Sequence, residues 1–222
     1  MPYFFARKDR GRAVVEGGDA RHLARSLRAR VGEEIEVVDP AGLLLKVRLD
    51  EVTPSRVSGV IVGEQPHHSE PVARITIAVA NLAAAGLELV LSRCTEAGAH
   101  AFLVFQADRS VARGYKPERW AVICREAAML AGRLRVPEVA AAPSLDAILF
   151  TARDPVMLVR GAATPLARIA HPADLTLLIG PEGGWSDREL GLVPLHAGLG
   201  PRNLRADTAA LVGLAVALSL RE

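Results

Sequence analysis

A glycine-rich turn directly after an uncharged apolar run is the feature of this chain that most clearly suggests chemistry. Residues 175–179 carry no charge and end at Gly180–Gly184, which reads GPEGG. Ligands of α/β proteins bind just beyond the carboxyl ends of buried strands, and glycines let a ligand approach the main chain closely. A tight turn without a ligand uses the same residue types, so this loop alone leaves both interpretations open.

A second segment, Gly200–Thr208, favours the ligand interpretation. Asp207 and Thr208 suit the cap and first turn of the apolar helix that follows, but this structural role does not explain Arg202 and Arg205. Two arginines beside a helix N-terminus form a strong site for an anion. The sequence contains neither a dinucleotide-binding fingerprint nor a P-loop pattern, so we expect a different kind of ligand.

The second part of the chain, residues 69–222, alternates between strand and helix patterns. Strands are predicted at 74–80, 101–106, 155–161, 176–184 and 195–199, and helices at 87–98, 116–132 and 207–220. This alternation predicts a parallel sheet covered by helices on both faces. The glycine-bearing loops Arg160–Gly161, Gly180–Gly184 and Gly198–Pro201 each follow a predicted strand. At one edge of the sheet they would form a pocket lined by backbone.

The first part, residues 1–68, has the pattern of a small β-rich domain. Short β-type runs occur at residues 2–5, 12–16, 34–39, 43–52 and 56–64. Residues 63–71 are predicted to form a polar linker in which His67 and His68 are exposed.

One helix is predicted to interrupt these strands, beginning at Asp19 as its N-cap. Leu23, Leu27 and Val31 would form its buried side. On the same helix, Arg21, Arg25 and Arg28 would share one face. That face is either a solvated surface or a contact to phosphate, and the sequence leaves both possibilities open.

Charge and composition limit the classes of function. The formal net charge is +2, but residues 1–30 and 93–135 are both rich in arginine, which makes a nucleic-acid partner plausible. We expect a cytoplasmic protein without metal or membrane contacts, because the sequence shows no membrane-length apolar run, secretory signal pattern or metal-ligand spacing. Cys94 and Cys124 are predicted to be small buried hydrophobes.

Five segments, spread in order over nearly the whole chain, carry recognisable motifs. They read HLARSLRARVGEEIEVVDPAG, LELVLSRCTEAGAHAFLVFQADRSV, RWAVICREAAMLAGRLRVPEV, LIGPEGGWSDREL and LGPRNLRADTAAL. Together they resemble the RsmE family of 16S ribosomal RNA methyltransferases. The resemblance implies a PUA-like β-barrel that binds RNA over residues 1–68. It also implies a SPOUT methyltransferase domain over 69–222, with a parallel sheet and a deep trefoil knot. A homodimer that uses S-adenosylmethionine to methylate N3 of a uridine in the decoding region of 16S rRNA is the expected enzyme.

The resemblance also implies a set of site residues. Cofactor binding is expected from backbone and apolar groups of three loops and the following helix, namely Leu158, Val159, Arg160, Gly161, Leu178, Ile179, Gly180, Pro181, Glu182, Gly183, Gly184, Leu199, Gly200, Arg202, Asn203, Leu204, Thr208 and Ala209. RNA binding is expected from exposed arginines, namely Arg7, Arg21, Arg25, Arg28, Arg109 and Arg133.

Two further residues are expected to act in catalysis. We predict that Arg205 stabilises the uridine anion and that Asp207 orients it or accepts the N3 proton. The family's RTET motif reads RADT here, so the carboxylate arm is one methylene shorter, which argues against direct proton transfer. Two alternatives remain: a SPOUT methyltransferase with another RNA target, and a non-catalytic RNA-binding protein. The intact GPEGG loop and Arg205 argue against the second.

Overall fold

The computed structural model describes residues 2–169 and 173–219 and divides them into two compact units. One unit extends to Glu70 and also contains Ala128–Arg135, and the other contains Pro71–Ala127 and the chain from Val136 onward. The sequence-based division at residue 68 did not include this return of residues 128–135.

The first unit is built around a mixed six-stranded sheet. Its strands are β1 (Phe4–Phe5), β2 (Arg7–Asp9), β3 (Arg12–Glu16), β4 (Glu34–Asp39), β5 (Leu43–Val52) and β6 (Arg56–Pro66). They lie in the order β1-β4-β5-β6-β3-β2, and all neighbours are antiparallel except β1 and β4. Alternate residues of the strands, such as Val37, Leu45 and Val47, fill the core of this unit. The predicted β-rich character of this part is confirmed.

The helix of this unit differs from the prediction. Helix α1 (Gly17–Arg21) begins two residues before Asp19 and continues as a π-helix over His22–Ser26. Asp19 is buried inside α1 instead of capping it, and Val31 is 63% exposed. A π-turn contains more residues than an α-turn, so the predicted spacing no longer keeps positions 27 and 31 on the buried side.

The arginine face predicted for this helix is also wrong in part. Arg28 lies beyond the π-helix with a φ of 53°. It therefore does not share a helix face with Arg21 and Arg25, although all three arginines are exposed.

The predicted linker is more ordered than its polar composition suggests. Strand β6 continues to Pro66 and includes the first four residues of the predicted linker. The Nε2 atom of His67 lies 2.6 Å from the carbonyl oxygen of Gly132, and its ring lies near Tyr3. The prediction of an exposed His67 is therefore wrong, whereas His68 is exposed.

A buried ion pair connects the two segments of the first unit. Arg133 has a side chain that is only 2% exposed, and its Nε and Nη2 atoms donate to the carboxylate of Glu70. The same carboxylate accepts hydrogen bonds from the Leu134 N–H and from Nε of Arg135. The prediction that Arg133 contacts RNA is wrong, because its guanidinium is buried against Glu70.

The second unit contains a six-stranded parallel sheet in the order β12-β10-β11-β7-β8-β9. The strands are β7 (Arg74–Ala80), β8 (Ala101–Phe105), β9 (Glu138–Ala142), β10 (Pro155–Leu158), β11 (Asp174–Ile179) and β12 (His196–Ala197). The helices are α2 (Ala84–Glu96), α3 (Pro117–Leu130), α4 (Leu145–Leu149), α5 (Asp187–Leu192) and α6 (Ala206–Ser219). The end of α3, from Ala128 onward, belongs to the first unit. The parallel sheet is confirmed, and β9 is an additional strand.

Helices cover both faces of this sheet, as predicted. On β7, Ile75, Ile77 and Val79 point to a core that also contains residues of α2, α3 and α6. Ala78 and Ala80 point to the opposite face, where α4 and α5 contribute to a second core. The trefoil knot implied by the resemblance stays a prediction.

The two cysteines are buried, as predicted. Cys94 lies on α2 and Cys124 on α3, and neither forms a disulfide. Burial raises the pKa of the Cys94 thiol to about 12, so this thiol stays protonated and behaves as a small apolar group. No helix in the described ranges is both long and apolar enough to cross a membrane.

Candidate functional site

The carboxyl ends of β10, β11 and β12 meet at one edge of the parallel sheet, where a cavity of about 480 Å³ opens. The loops that follow these strands line it, together with the first turn of α6. Parallel strands direct their carboxyl ends to the same edge, which is why three loops distant in sequence converge here. The predicted pocket lined by three glycine-bearing loops is present.

Most residues predicted to bind a cofactor line this cavity. They are Leu158, Val159, Arg160, Ile179, Gly180, Pro181, Glu182, Gly183, Gly184, Leu199, Gly200, Arg202, Asn203, Leu204 and Ala209. Gly161, Leu178 and Thr208 are not part of the lining. Leu178 is fully buried in the core on the α4 and α5 side of the sheet, because successive strand residues point to opposite faces.

Trp185 is the main lining residue that the sequence prediction missed. Its Nε1 donates a hydrogen bond of 2.9 Å to the carbonyl oxygen of Leu158, and its ring stacks on Phe105 with centroids 6.2 Å apart. A Cβ atom at Gly180 would lie 2.9 Å from this indole ring. Gly180 therefore lets the ring pack against the backbone, and Trp185 connects the loops after β10 and β11.

The turn after β11 also depends on glycine. The N–H of Gly184 donates to the carbonyl oxygen of Pro181 at 2.9 Å, and the φ of Gly184 is 71°. Other residues rarely adopt that conformation. The turn directs backbone groups of residues 180–184 into the cavity wall.

Arg205 and Asp207 form a two-pronged ion pair at the start of α6. Nε and Nη2 of Arg205 donate to the two carboxylate oxygens of Asp207 at 3.1 and 3.0 Å. The Asp207 side chain is 15% exposed, whereas that of Arg205 is 75% exposed and lines the cavity. Asp207 also accepts from the backbone N–H of Thr208. Asp207 therefore fixes the guanidinium of Arg205 without lining the cavity itself.

The cavity carries an excess of positive charge. Arg160 and Arg202 line it, and within the described ranges neither forms an ion pair with a carboxylate. Glu182 is the carboxylate among the described lining residues, and it is exposed. Apolar side chains such as Leu158 and Ile179 also line the cavity. The arrangement suits a ligand with a flat apolar ring and a nearby anionic partner.

The arginines expected to bind RNA have different positions. Arg7, Arg21, Arg25 and Arg28 are exposed on the first unit. Arg109 is exposed on the second unit, and its Nη1 lies 3.4 Å from the carbonyl oxygen of Gly183. Arg109 is therefore next to the cavity wall. In the described parts of the chain, no group of three or more His, Cys, Asp or Glu side chains could hold a metal ion.

Comparison with known proteins identifies the family. An RNA methyltransferase domain model matches residues 68–218, and an RNA methyltransferase PUA domain model matches residues 15–62. A ribosomal RNA small subunit methyltransferase E from Synechocystis is 32% identical, with 90% of this chain and 71% of that protein covered. The chain belongs to the ribosomal RNA small subunit methyltransferase E family.

Other members of this methyltransferase E family agree with that result. The Bacillus subtilis protein is 29% identical, with 90% of this chain and 87% of its own length covered. A crystal structure of the Neisseria gonorrhoeae methyltransferase E bound to S-adenosylmethionine has a TM-score of 0.84 at 26% identity. It covers 99% of this chain and 98% of its own. The resemblance carried by the five sequence segments is confirmed, as are the SPOUT fold class and the PUA domain.

Proposed function

We propose that this chain is an S-adenosylmethionine-dependent methyltransferase that methylates N3 of a uridine in 16S rRNA. The main support is one observation: the three loops that the RsmE resemblance implies for cofactor binding converge on one cavity, and Arg205 lines that cavity. Family membership supports an RNA methyltransferase, and a relative of the same family was crystallised with S-adenosylmethionine bound.

The residues present fit S-adenosylmethionine. The cavity of about 480 Å³ lies in the size range of small-molecule sites, roughly 300–1,000 Å³. Backbone groups of residues 180–184 and 199–204 would hydrogen-bond the adenine and ribose, and Leu158, Ile179 and Leu204 would pack against the adenine ring. When bound, the cofactor supplies an electrophilic methyl group on a sulfonium.

The chain's own residues would prepare the uridine. N3 of uridine carries a proton, which must pass to a water molecule before N3 attacks the methyl group. The nucleophile is therefore an anion that must be stabilised while it is aligned with that methyl group. The exposed guanidinium of Arg205 can donate hydrogen bonds to that anion. Asp207 holds both Nε and Nη2 of this arginine, so we assign it the orienting role.

RNA contacts would come from the exposed arginines. Arg7, Arg21, Arg25 and Arg28 on the PUA unit can bind phosphates, and Arg109 can do so beside the cavity wall. Since the proposed substrate is ribosomal RNA, we expect the enzyme to act in the cytoplasm.

We also propose that the active enzyme is a homodimer. The exposed positions of α6 are Thr208, Val212, Ala215 and Ser219, and they form an uncharged stripe. The exposed face of a surface helix usually carries charged residues, whereas these four positions carry none. A second copy of α6 or of a neighbouring surface would cover this stripe.

The proposed activity can be tested by mass mapping of small-subunit rRNA from a strain that lacks the gene. We expect N3-methyluridine to be lost from 16S rRNA, to return with the wild-type gene and to stay absent with Arg205→Ala. Removing one donor to a developing anion costs about 10²–10³ in rate. An unchanged N3-methyluridine signal would overturn the proposal, and loss of a methyl group from another nucleotide would assign a different RNA target.

Binding of the cofactor distinguishes an enzyme from a pure RNA-binding protein. Calorimetric titration of the purified chain with S-adenosylmethionine should give a saturable heat of binding. If no heat is detected with folded protein, the chain would be a non-catalytic RNA-binding member of the fold.

A further inference from the structure

A fully buried carboxylate lies near the cavity but does not line it. Glu189 on α5 is 0% exposed, and a buried carboxylate is costly unless hydrogen bonds satisfy it. Its Oε2 accepts from the backbone N–H of Ser186 at 2.9 Å. Ser186 in turn accepts from the N–H of Glu189, which completes a capping box at the start of α5. The capping box explains one carboxylate oxygen only.

The other oxygen connects α5 to a distant segment. Oε1 of Glu189 accepts from the backbone N–H of Asp108 at 3.0 Å, although the two residues are 81 positions apart. Asp108 follows the carboxyl end of β8 and precedes Arg109. Glu189 therefore fixes the main chain of the segment after β8 directly to the start of α5.

Side chains strengthen the same connection. The carboxylate of Asp108 accepts from the Ser186 hydroxyl at 2.5 Å and from Nε and Nη2 of Arg188 at 3.0 and 2.8 Å. The hydrogen bonds of Arg188 and Ser186 lower the pKa of Asp108, so the carboxylate remains charged. Nη1 of Arg188 also donates to Asp146 on α4.

The segment fixed in this way touches the cavity wall. A Cβ atom built on Gly183 would lie 3.3 Å from both Cβ and the carbonyl oxygen of Arg109. In addition, Nη1 of Arg109 donates to the carbonyl oxygen of Gly183 at 3.4 Å. Gly183 lines the cavity. The Asp108–Arg109 segment therefore packs directly against the loop Gly180–Gly184.

We propose that Glu189 is a positioning residue that holds the Asp108–Arg109 segment against Gly183 and so keeps the cofactor loop in its binding shape before the cofactor arrives. The inference rests on the proposed function, since it assumes that S-adenosylmethionine occupies the cavity. A loop that already has its binding shape loses little conformational entropy when the cofactor binds. Loss of Glu189 should therefore weaken cofactor binding more than it slows turnover at saturating cofactor.

The test uses calorimetric titration of the full chain with S-adenosylmethionine. Glu189→Gln keeps the shape of the side chain, but one of its two oxygens becomes an NH₂ group that cannot accept a backbone N–H. We expect the Kd to rise about tenfold, equivalent to about 1.4 kcal/mol, while turnover with rRNA at saturating cofactor stays within a few-fold.

A matched control separates this role from simple helix capping. Ser144 caps α4, a similarly short helix, by accepting from the N–H of Ala147 at 3.3 Å. Ser144→Ala should lower the unfolding temperature because it removes a helix cap, but it should leave the Kd within about twofold because Ser144 does not line the cavity. If Glu189→Gln lowers the unfolding temperature and leaves the Kd unchanged, Glu189 is only a cap and the proposal is overturned.

A second variant keeps the proposal testable if Glu189→Gln does not fold. Asp108 is exposed. Asp108→Asn keeps the backbone N–H that donates to Glu189 but weakens the side-chain contacts to Arg188 and Ser186. We expect it to raise the Kd about threefold, which corresponds to about 0.7 kcal/mol, and an unchanged Kd counts against the proposal. Failure of the wild-type chain to bind S-adenosylmethionine would instead overturn the proposed function itself.

Discussion

At the scale of single residues, the two members of the ion pair between Arg205 and Asp207 have different roles in the site. Arg205 lines the cavity and is exposed, whereas Asp207 lies mostly covered behind it. A guanidinium held at two nitrogens by a carboxylate loses most of its rotational freedom, and its remaining N–H groups keep a fixed direction. This arrangement favours orientation by Asp207 over proton transfer.

Substitution of Asp207 should therefore cost less than substitution of Arg205. Asp207→Asn keeps one acceptor for Arg205 but removes the charge, so we expect turnover to fall about tenfold, against about 10²–10³ for Arg205→Ala. The Kd of S-adenosylmethionine should stay within about twofold, because Asp207 does not line the cavity. Single-turnover methylation of small-subunit rRNA measures the loss of rate in each variant, and calorimetric titration measures the Kd of S-adenosylmethionine.

The control for this pair is Asp174→Asn. Asp174 begins β11 and pairs with Arg74 at 2.8 Å, so the variant removes an ion pair at the amino end of the strand that leads to the cavity. It should leave turnover unchanged. A loss in Asp207→Asn as large as that in Arg205→Ala would contradict the orienting role and indicate that Asp207 accepts the N3 proton.

The residues that could be predicted are those whose role is local in sequence. Gly180 and Gly184 follow an apolar run. Gly180 is required because the Trp185 ring packs closely on its backbone, and Gly184 because its φ is positive. Trp185 was missed because its partner, the carbonyl oxygen of Leu158, lies 27 residues away. Glu189 was missed because a capping box is enough to explain a glutamate at this position, while its second partner, the N–H of Asp108, lies 81 positions away.

At the scale of elements, the carboxylate of Glu70 helps to hold residues 128–135 in the first unit. Glu70 accepts hydrogen bonds from Arg133, Leu134 and Arg135. Burial raises the pKa of Glu70, but the hydrogen bond and charge of Arg133, followed by Arg135 and the Leu134 N–H, lower it further than burial raises it. The net effect is a pKa below the ordinary value of 4.5.

This lowered pKa predicts how stability depends on pH. The folded state binds the Glu70 proton more weakly than the unfolded chain, so the contribution is present above about pH 4.5 and is lost as pH falls through the folded pKa. Glu70→Gln leaves the buried charge of Arg133 without its carboxylate and should lower the free energy of unfolding by about 3 kcal/mol near pH 7. Urea unfolding from pH 7 to pH 3 should then show a flatter dependence than in the wild type.

Glu34→Gln provides the comparison within the same unit. Glu34 pairs with Lys46 and Arg48 at an exposed surface, where solvent screens the charges, so its unfolding curve should match the wild type at neutral pH. Equal stability of Glu70→Gln and the wild type at pH 7 would contradict the role assigned to the Glu70 cluster.

The same elements show where sequence patterns stop being informative. Strands β4 and β5 were predictable because buried and exposed residues largely alternate along them. The π-helix at His22–Ser26 was not, since it differs from an α-helix by a hydrogen-bond register that leaves no simple mark in composition. The Arg133 prediction failed because charge alone does not show that Glu70, 63 positions away, covers it.

At the scale of the whole molecule, strand and helix order were predictable, but the spatial order of the strands was not. The alternation of β and α patterns led to the parallel sheet, while the order β12-β10-β11-β7-β8-β9 depends on contacts between distant strands. That order brings Arg205 and Gly180–Gly184 to one cavity. The assembly proposed for the enzyme is a further property of this kind, since it depends on surfaces that no single segment defines.

A substitution in the uncharged stripe of α6 tests the proposed homodimer directly. Val212 lies in the middle of the stripe and is 37% exposed. A charge there would be buried without a partner in a dimer, which is strongly unfavourable, but it would be solvated in a monomer. We therefore expect Val212→Glu to elute as a monomer in light scattering at a concentration where the wild type is a dimer.

The matched variant is Val122→Glu on α3. Val122 is 47% exposed and lies between charged residues such as Arg119 and Arg125 on the surface of α3. A glutamate suits that solvated face, so this variant should keep the wild-type mass. If Val212→Glu also keeps the wild-type mass, or if the wild type is already a monomer at micromolar concentration, the α6 stripe is not a dimer interface. Loss of rRNA methylation in a folded, monomeric Val212→Glu protein would show that the site needs the second copy. This outcome would explain why an exposed helix next to the cavity carries no charge after Asp207.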